Sequence, residues 1–277
     1  MEARTCAPVA LRPKFQEGHV EVIEAFLRDH LRESGRKGFV LGMSGGIDSS
    51  LVAKLCADAA GASRVLGIAM PETAANSADE RDAKGWAKRL GIGFRTIAIG
   101  PMVAGIAKHL KVPKSDRVGL GNVKARVRMI VLYQVAHDED RLVIGTGNKS
   151  ELALGYFTKW GDGGSDLLPI GDLYKTQVRA MGRHLGLPKA ILDKVPTAGL
   201  WPGQTDEGEL GMPYEVLDRI LLGIELRFSA EEIAKRADAD VKQVLRIERL
   251  VATSVHKRKM PLIPKLGIRT FGLDWRE

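Results

Sequence analysis

Residues 39–50 read FVLGMSGGIDSS, an apolar run emptying into a glycine-rich turn. The next ten, LVAKLCADAA at 51–60, put Leu51, Val52, Leu55, Cys56 and Ala59 on one face of a helix. The order is therefore strand, turn, helix. Upstream, Val20, Ile23, Phe26, Leu27 and Leu31 recur at helical spacing and predict an amphipathic helix over 17–33, which Gly35 and Gly38 end.

Downstream the alternation continues. Strands are predicted at 65–70 (VLGIAM), 94–99 (FRTIAI) and 141–146 (RLVIGT), and helices at 77–90 and 121–137, the first with Ala83, Trp86, Ala87 and Leu90 inward. Strands alternating with helices make a parallel sheet covered on both faces. The expected fold is α/β, a Rossmann-like doubly wound parallel sheet with flanking helices. Residues 1–16 read as a loose tail or strap, and GLWPGQTDEGELGMP at 199–213 as a loop. Residues 214–277 form a small C-terminal helical part carrying Ile220, Leu221, Ile224, Leu226, Val241, Val244, Leu245 and Leu250. The whole chain, 1–277, is read as a single domain.

Hydrophobic residues at 44% and charged residues at 27% suit a globular chain with a buried core. No apolar run approaches the roughly 18 residues that span a bilayer, and the N-terminus lacks a signal-peptide pattern. Cys6 and Cys56 are the only cysteines, too few for a disulfide framework or thiolate zinc cluster. A cytoplasmic protein is expected. The net charge of +8, with cations clustered from Lys242 to Arg269, suits polyanions and small phosphate-bearing substrates alike.

The turn itself points to phosphate. Glycines admit close backbone approach, and the N–H groups opening the following helix attract an anion. The spelling is neither a Walker A loop, which needs a lysine before Ser or Thr, nor a GxGxxG dinucleotide fingerprint. Asp48 would repel a phosphate unless a cation such as Mg2+ bridged the two. An ordinary helix start with Asp48 as a first-turn acid is the plainer alternative.

SGGIDSS resembles the pyrophosphate loop of the ATP pyrophosphatase superfamily, whose members cut ATP between the α and β phosphates. Four further segments occur in order: NVKARVRM at 122–129, GTGNKSELALGYFTKWGDGGSDLLPIGDLYKTQVR at 145–179, PTAGLWPGQTDEGELG at 196–211 and HKRKMPLIP at 256–264. Together they resemble the ammonia-dependent NAD synthetases, from about residue 20 to about residue 265. The resemblance implies an AMP-forming carbon–nitrogen ligase that adenylates deamido-NAD and lets ammonia displace AMP.

Residue by residue, the resemblance implies ATP contacts from Gly42, Met43, Ser44, Gly45, Gly46, Ile47, Asp48, Ser49, Thr146, Lys175 and Thr197. It implies magnesium ligands Asp48 and Glu151. Deamido-NAD contacts fall on Arg126, Lys159, Asp166, His256 and Lys257. Asn122 and Arg126, four apart, share a helix face. Plainer roles stand beside these: a first-turn acid for Glu151, a capping threonine for Thr146, an exposed helix lysine for Lys175, a turn residue for Thr197. No side chain is singled out as a nucleophile or base, since such chemistry rests on positioning and charge neutralisation.

The resemblance also implies a homodimer, with the helices at 17–33 and 121–137 as candidate contacts. Glutamine-using relatives carry an N-terminal domain with a nucleophilic cysteine. About twenty residues precede the first core helix here, so free ammonia or a separate glutaminase is the expected source. Two other readings compete: a tRNA-modifying pyrophosphatase, which usually needs reactive cysteines, and a non-catalytic adenine-nucleotide sensor. No membrane partner and no nucleic-acid partner are expected.

Overall fold

In the computed structural model the described residues are 11–72, 78–197, 199–201 and 203–268. Helix α1 (Gly18–Ser34) precedes strand β1 (Gly38–Gly42), followed by α2 (Ile47–Ala60), β2 (Val65–Ala69), α3 (Ala78–Leu90) and β3 (Gly93–Thr96). The chain then runs through α4 (Gly100–His109) and α5 (Arg117–Glu139) to β4 (Arg141–Ile144) and α6 (Lys149–Leu154). Beyond a long loop come α7 (Lys175–His184), α8 (Lys189–Leu192) and α9 (Asp206–Leu210), then α10 (Tyr214–Glu225), α11 (Ala230–Ala237), α12 (Val241–Thr253) and α13 (Val255–Arg258).

The four strands are parallel, in the order β3-β2-β1-β4. β1 is paired on both edges, Phe39 opposite Val65 on one side and Leu142 on the other, and Phe39, Val40 and Leu41 are fully buried. That burial on both faces is why the run is apolar without alternation. After β1 the chain crosses to β2; after β3 it returns through α4 and α5 to the opposite edge of β1. The turns leaving β1 and β4 therefore diverge, opening the crevice in which doubly wound sheets bind ligands.

One face of the sheet packs a core drawn from α1, α2, α3, α7 and α8, including Leu27, Leu51, Leu55, Ala83, Trp86, Val178 and Met181. The other packs α4 and α5, through Val103, Val127 and Val131. A separate core around Leu217, Ile220, Ile233, Val244 and Ile247 forms the C-terminal helical layer. The Trp86 indole N–H donates to the Ser50 carbonyl at 2.9 Å, so its polar end is satisfied inside the core.

Several boundaries differ from expectation. β3 ends at Thr96, although Ile97 and Ile99 still donate to the Ala69 and Pro71 carbonyls. Helix α4 was not expected; Pro101 in its first turn, where a missing N–H costs nothing, suits a helix start. α5 begins four residues early because Asp116 caps it, accepting from Gly119 N–H at 2.8 Å. β4 stops at Ile144 rather than 146, and the loop at 199–213 contains α9.

Phe26, Leu226 and Leu245 are exposed rather than packed. Residues 11–16 behave as a strap rather than a loose tail: Leu11 is buried, Gln177 donates to the Lys14 carbonyl at 2.9 Å, and the Phe15 ring lies 5.4 Å from that of His184. Cys6 lies outside the described residues.

Two glycines should respond oppositely to alanine. At Gly38 a Cβ would lie 2.0 Å from the Arg64 carbonyl oxygen, whereas at Gly85, exposed in α3, it meets nothing within 4 Å. Gly38→Ala is expected to lose about 1–3 kcal/mol by forcing β1 and its neighbour apart. Gly85→Ala is expected to gain about 0.5–1 kcal/mol from helix propensity. Urea denaturation of both variants checks the pair.

Candidate active site

The turn after β1 is built from its own hydroxyls. Met43 N–H extends the ladder to the Ile68 carbonyl at 2.9 Å. Ser49 Oγ then accepts from Ser44 N–H at 3.2 Å and donates to the Gly46 carbonyl at 3.2 Å, while Gly46 N–H donates to Ser44 Oγ at 3.2 Å. Gly45 takes φ +74, and a Cβ there would sit 2.4 Å from the Asp79 carbonyl oxygen. Left-handed backbone and close approach both require glycine. Gly46 caps α2 without any side-chain hydrogen bond, leaving the helix's opening N–H groups and positive dipole end for an anion.

The turn after β4 meets it. Asn148 Nδ2 donates to Asp48 Oδ1 at 3.1 Å, bridging the loops across the switch point. Asn148 also caps α6: its side chain accepts from Glu151 N–H at 3.1 Å, and its own N–H donates to Glu151 Oε2 at 3.1 Å. This capping box fixes Glu151's carboxylate beside Asp48.

Lys175, the first residue of α7, enters from the third side. It is 2% exposed rather than an exposed helix lysine. Its ammonium bonds Asp48 and lies 4.0 Å from Glu151 Oε1, and the Tyr214 ring centroid is 5.5 Å away. Burial would drive this ammonium's pKa down, but the charges of Asp48 and Glu151 hold it above the ordinary lysine value. Glu151 is pushed well above the carboxylate range, first by burial and then by Asp48, with Lys175 opposing. With one ammonium for two acids, Glu151 is left holding a proton near neutral pH, at a place where a further cation would take over that role.

That imbalance is the test of fit for a metal. Asp48 and Glu151 are hard oxygen donors held around one cationic point, as a magnesium-type ion requires. Among the described residues no group of three or more His, Cys, Asp or Glu is arranged to hold a metal. Two carboxylates plus phosphate oxygens and water make a suitable shell for an ion that arrives with a nucleotide.

Asp206 and Tyr214 belong to the same locus and were missed in the sequence. Asp206, 3% exposed at the start of α9, accepts from Tyr214 OH at 3.2 Å. Its charge also acts on Glu151 and Lys175. The run QTDEGEL gave a signal only for a capped helix start, with Thr205 Oγ1 accepting from Gly208 N–H at 3.2 Å; that the acid turns inward is a tertiary fact. Asn148 was legible in principle, because Asn followed three residues later by Glu spells a capping box.

The other expected residues fall in two groups. Thr146 is half-buried two residues beyond β4, and Thr197 Oγ1 accepts from Gly199 N–H at 3.0 Å. Asn122 and Arg126 do share a face: Asn122 Oδ1 accepts from Thr158 Oγ1 at 2.8 Å, and exposed Arg126 donates to the Lys159 carbonyl at 3.3 Å. The Lys159 ammonium lies 5.4 Å from the Trp160 ring centroid. Asp166 accepts from Val143 N–H at 2.7 Å and Tyr133 OH at 3.1 Å, so it fastens the long loop to the edge of β4.

His256 is exposed, whereas Lys257 donates to the Gly155 and Phe157 carbonyls at 2.6 and 2.8 Å. A groove of about 420 Å³ beside this pair is lined by Tyr156, Glu209, Arg246 and Thr253 among others.

A doubly wound sheet with a glycine-rich turn, and two carboxylates meeting a buried lysine at its switch point, has the arrangement expected of an ATP-using ligase of the ATP pyrophosphatase type. The chain belongs to the NAD synthase family, whose model matches residues 19–261. It is 47% identical over 245 residues to the NH(3)-dependent NAD(+) synthetase of Pyrococcus horikoshii, covering 88% of this chain and 94% of that one. The enzyme of the same name from Methanosarcina acetivorans is 45% identical over 254 residues, 91% of this chain and 99% of that one.

Among solved structures, an NMN synthetase from Francisella tularensis superposes with TM-score 0.78 at 36% identity, covering 91% of this chain and 99% of that one. The NH3-dependent NAD synthetase from Campylobacter jejuni, in complex with nitrate, gives 0.76 at 31%, covering 90% and 98%. A glutamine-dependent NAD+ synthetase from Acinetobacter baumannii, in complex with ADP, gives 0.67 at 27%, and this chain covers 50% of it.

Removing the ammonium should expose what it neutralises. Lys175→Met is expected to destabilise the metal-free protein by about 3–5 kcal/mol, since it leaves the Asp48 carboxylate without its counter-charge beside Glu151. Added Mg2+ is expected to restore part of the loss. Urea titrations with and without Mg2+ check both, and an unchanged midpoint would mean the carboxylates are not held against each other.

Proposed function

We propose that the chain catalyses ATP-dependent amidation of deamido-NAD by ammonia, giving NAD, AMP and pyrophosphate. The observation that carries this reading is the meeting of the SGGIDSS turn with Asp48, Glu151 and Lys175 at the switch point. Membership of the NAD synthase family supports it along nearly the whole chain.

In this reading the uncapped N–H groups of α2 and the backbone of residues 42–49 receive the ATP phosphates, flanked by Thr146 and Thr197. Asp48 and Glu151 hold a divalent cation, for which we propose Mg2+; when bound, it supplies positive charge to the phosphate oxygens. Lys175 adds a point charge at the same place. Arg126, Lys159 and His256 reach deamido-NAD directly, while Asp166 and Lys257 shape the loop that carries Lys159.

The nicotinate carboxylate oxygen attacks the α-phosphorus, the α–β phosphoanhydride bond breaks, and pyrophosphate leaves. Ammonia then attacks the acyl carbon and AMP departs, the surplus proton passing to solvent. The protein's contribution is alignment, charge neutralisation and exclusion of water from the acyl adenylate.

Ammonia arrives free or from a separate glutaminase in this proposal, and the reaction belongs to the cytoplasm. Among the described residues no helix is long and apolar enough to cross a membrane. A sulfur-transferring alternative loses support at Cys56, the one cysteine among the described residues, which is buried with its thiol pKa raised by that burial. The likeness to an NMN synthetase supports one competing acceptor, the mononucleotide counterpart of deamido-NAD.

Incubation with ATP, Mg2+, ammonium and either acceptor, read by chromatography, is the test. NAD and AMP are expected together only when all components are present, and faster than NMN from the mononucleotide. The reverse preference would transfer the reading to NMN synthesis. Asp48→Ala and Glu151→Ala are each expected to cut turnover by on the order of 100- to 1,000-fold or more, with circular dichroism unchanged.

We also propose a homodimer. Val22 and Phe26 on α1, and Val118 and Ile130 on α5, are exposed apolar residues on the two helices expected to make the contact. Light scattering is expected to give twice the chain mass, and Ile130→Glu to shift it towards the monomer.

A further inference from the structure

We infer that Lys194 is a positioning residue for the phosphate turn, neutralising two carboxylates beside it and setting the orientation of the Gly45–Gly46 peptide. The inference rests on the reading of residues 42–49 as the ATP loop and concerns how that loop is kept receptive.

Lys194 follows α8 and stands three residues before Thr197. Its ammonium lies 2.6 Å from Asp79 Oδ1 and 2.9 Å from Asp82 Oδ2, and donates to the Gly45 carbonyl at 3.2 Å. The three donors of an ammonium are thereby matched to three acceptors on two other segments. Its side chain is only 26% exposed. Burial disfavours its charge, but Asp79 and Asp82 outweigh that and hold its pKa above the ordinary lysine value. The lysine therefore keeps its charge where it meets the two carboxylates.

Two consequences follow. First, the opening turn of α3 touches the phosphate turn, since a Cβ on Gly45 would lie 2.4 Å from the Asp79 carbonyl oxygen. Asp79 and Asp82 thus place two negative charges at the edge of a turn that must accept an anion, and Lys194 offsets them where they stand. Second, a trans peptide directs its C=O and N–H oppositely. Holding the Gly45 oxygen therefore aims the Gly46 N–H, which donates to Ser44 Oγ at 3.2 Å at the N-cap of α2. The same side chain also fixes the root of the segment bearing Thr197, so both sides of the nucleotide site share one brace.

The test is titration calorimetry of an α,β-methylene ATP analogue with Mg2+ on the full chain, for wild type, Lys194→Met, Lys194→Arg and the triple variant Lys194→Met/Asp79→Asn/Asp82→Asn. Lys194→Met is expected to weaken binding about tenfold, equivalent to ~1.4 kcal/mol. Lys194→Arg is expected to stay near wild type. Neutralising the two aspartates in the Lys194→Met background is expected to recover the part of the loss due to their charge and to leave the part due to the missing Gly45 contact. Wild-type affinity in Lys194→Met, or a triple variant no tighter than Lys194→Met, would overturn the inference while leaving the ATP site standing. Wild-type protein that binds no analogue would overturn the ATP-site reading itself, and the brace with it.

Discussion

Three helices begin at the ammonium of Lys175, and the arrangement around it constrains nearly everything else. Asp48 lies in the first turn of α2, Glu151 in the first turn of α6, and Lys175 opens α7. A buried ion group of this kind costs desolvation energy that its own attractions only partly return. It persists because each charge is held by backbone that the core has already positioned: Asp48 by the β1 turn, Glu151 by the Asn148 capping box, and Lys175 by its N–H bond to Ser150 Oγ at 3.0 Å. Two acids against one ammonium, with the Glu151 pKa raised, make the locus receptive to a divalent cation that would displace the Glu151 proton.

The C-terminal helical layer fastens this locus from behind. Asp218, fully buried on α10, accepts from Ser150 Oγ at 2.5 Å and from Thr176 N–H at 2.8 Å. One carboxylate on α10 therefore ties α6 to α7 next to Glu151 and Lys175. Burial pushes its pKa up and those hydrogen bonds oppose the rise. Tyr214, four residues earlier, meets both Asp206 and the Lys175 ammonium. The layer is thus part of the site's architecture as well as a packing unit.

The basic C-terminal stretch finds a structural use in the same region. Arg258 donates to the Leu152 and Ala153 carbonyls at 2.9 and 2.7 Å, Lys257 to those of Gly155 and Phe157, and Arg246 to that of Leu210. Cations near a helix C-terminus satisfy its orphan carbonyls and complement its dipole. These three spend their charge on the protein's own backbone, which weakens the case that the net +8 marks a nucleic-acid surface.

Local order in the sequence determined the parallel sheet and the strand–turn–helix at 39–60, because glycine geometry, hydrophobic period and chain order operate over short spans; the pairing of Asp48 with Glu151, far apart in the chain, was implied only by family resemblance. Helix α4 is illegible locally because 100–109, GPMVAGIAKH, has too few polar residues to mark a helical period, and the start of α5 depends on the Asp116 cap. Tertiary structure alone decided that Lys175 is buried, that Asp206 turns inward, that Lys257 grips carbonyls, and that Lys194 braces Gly45. Each depends on contacts between segments separated by tens of residues or more. A lysine or aspartate spells the same in a sequence whether it faces water or a buried partner, and only packing sets which.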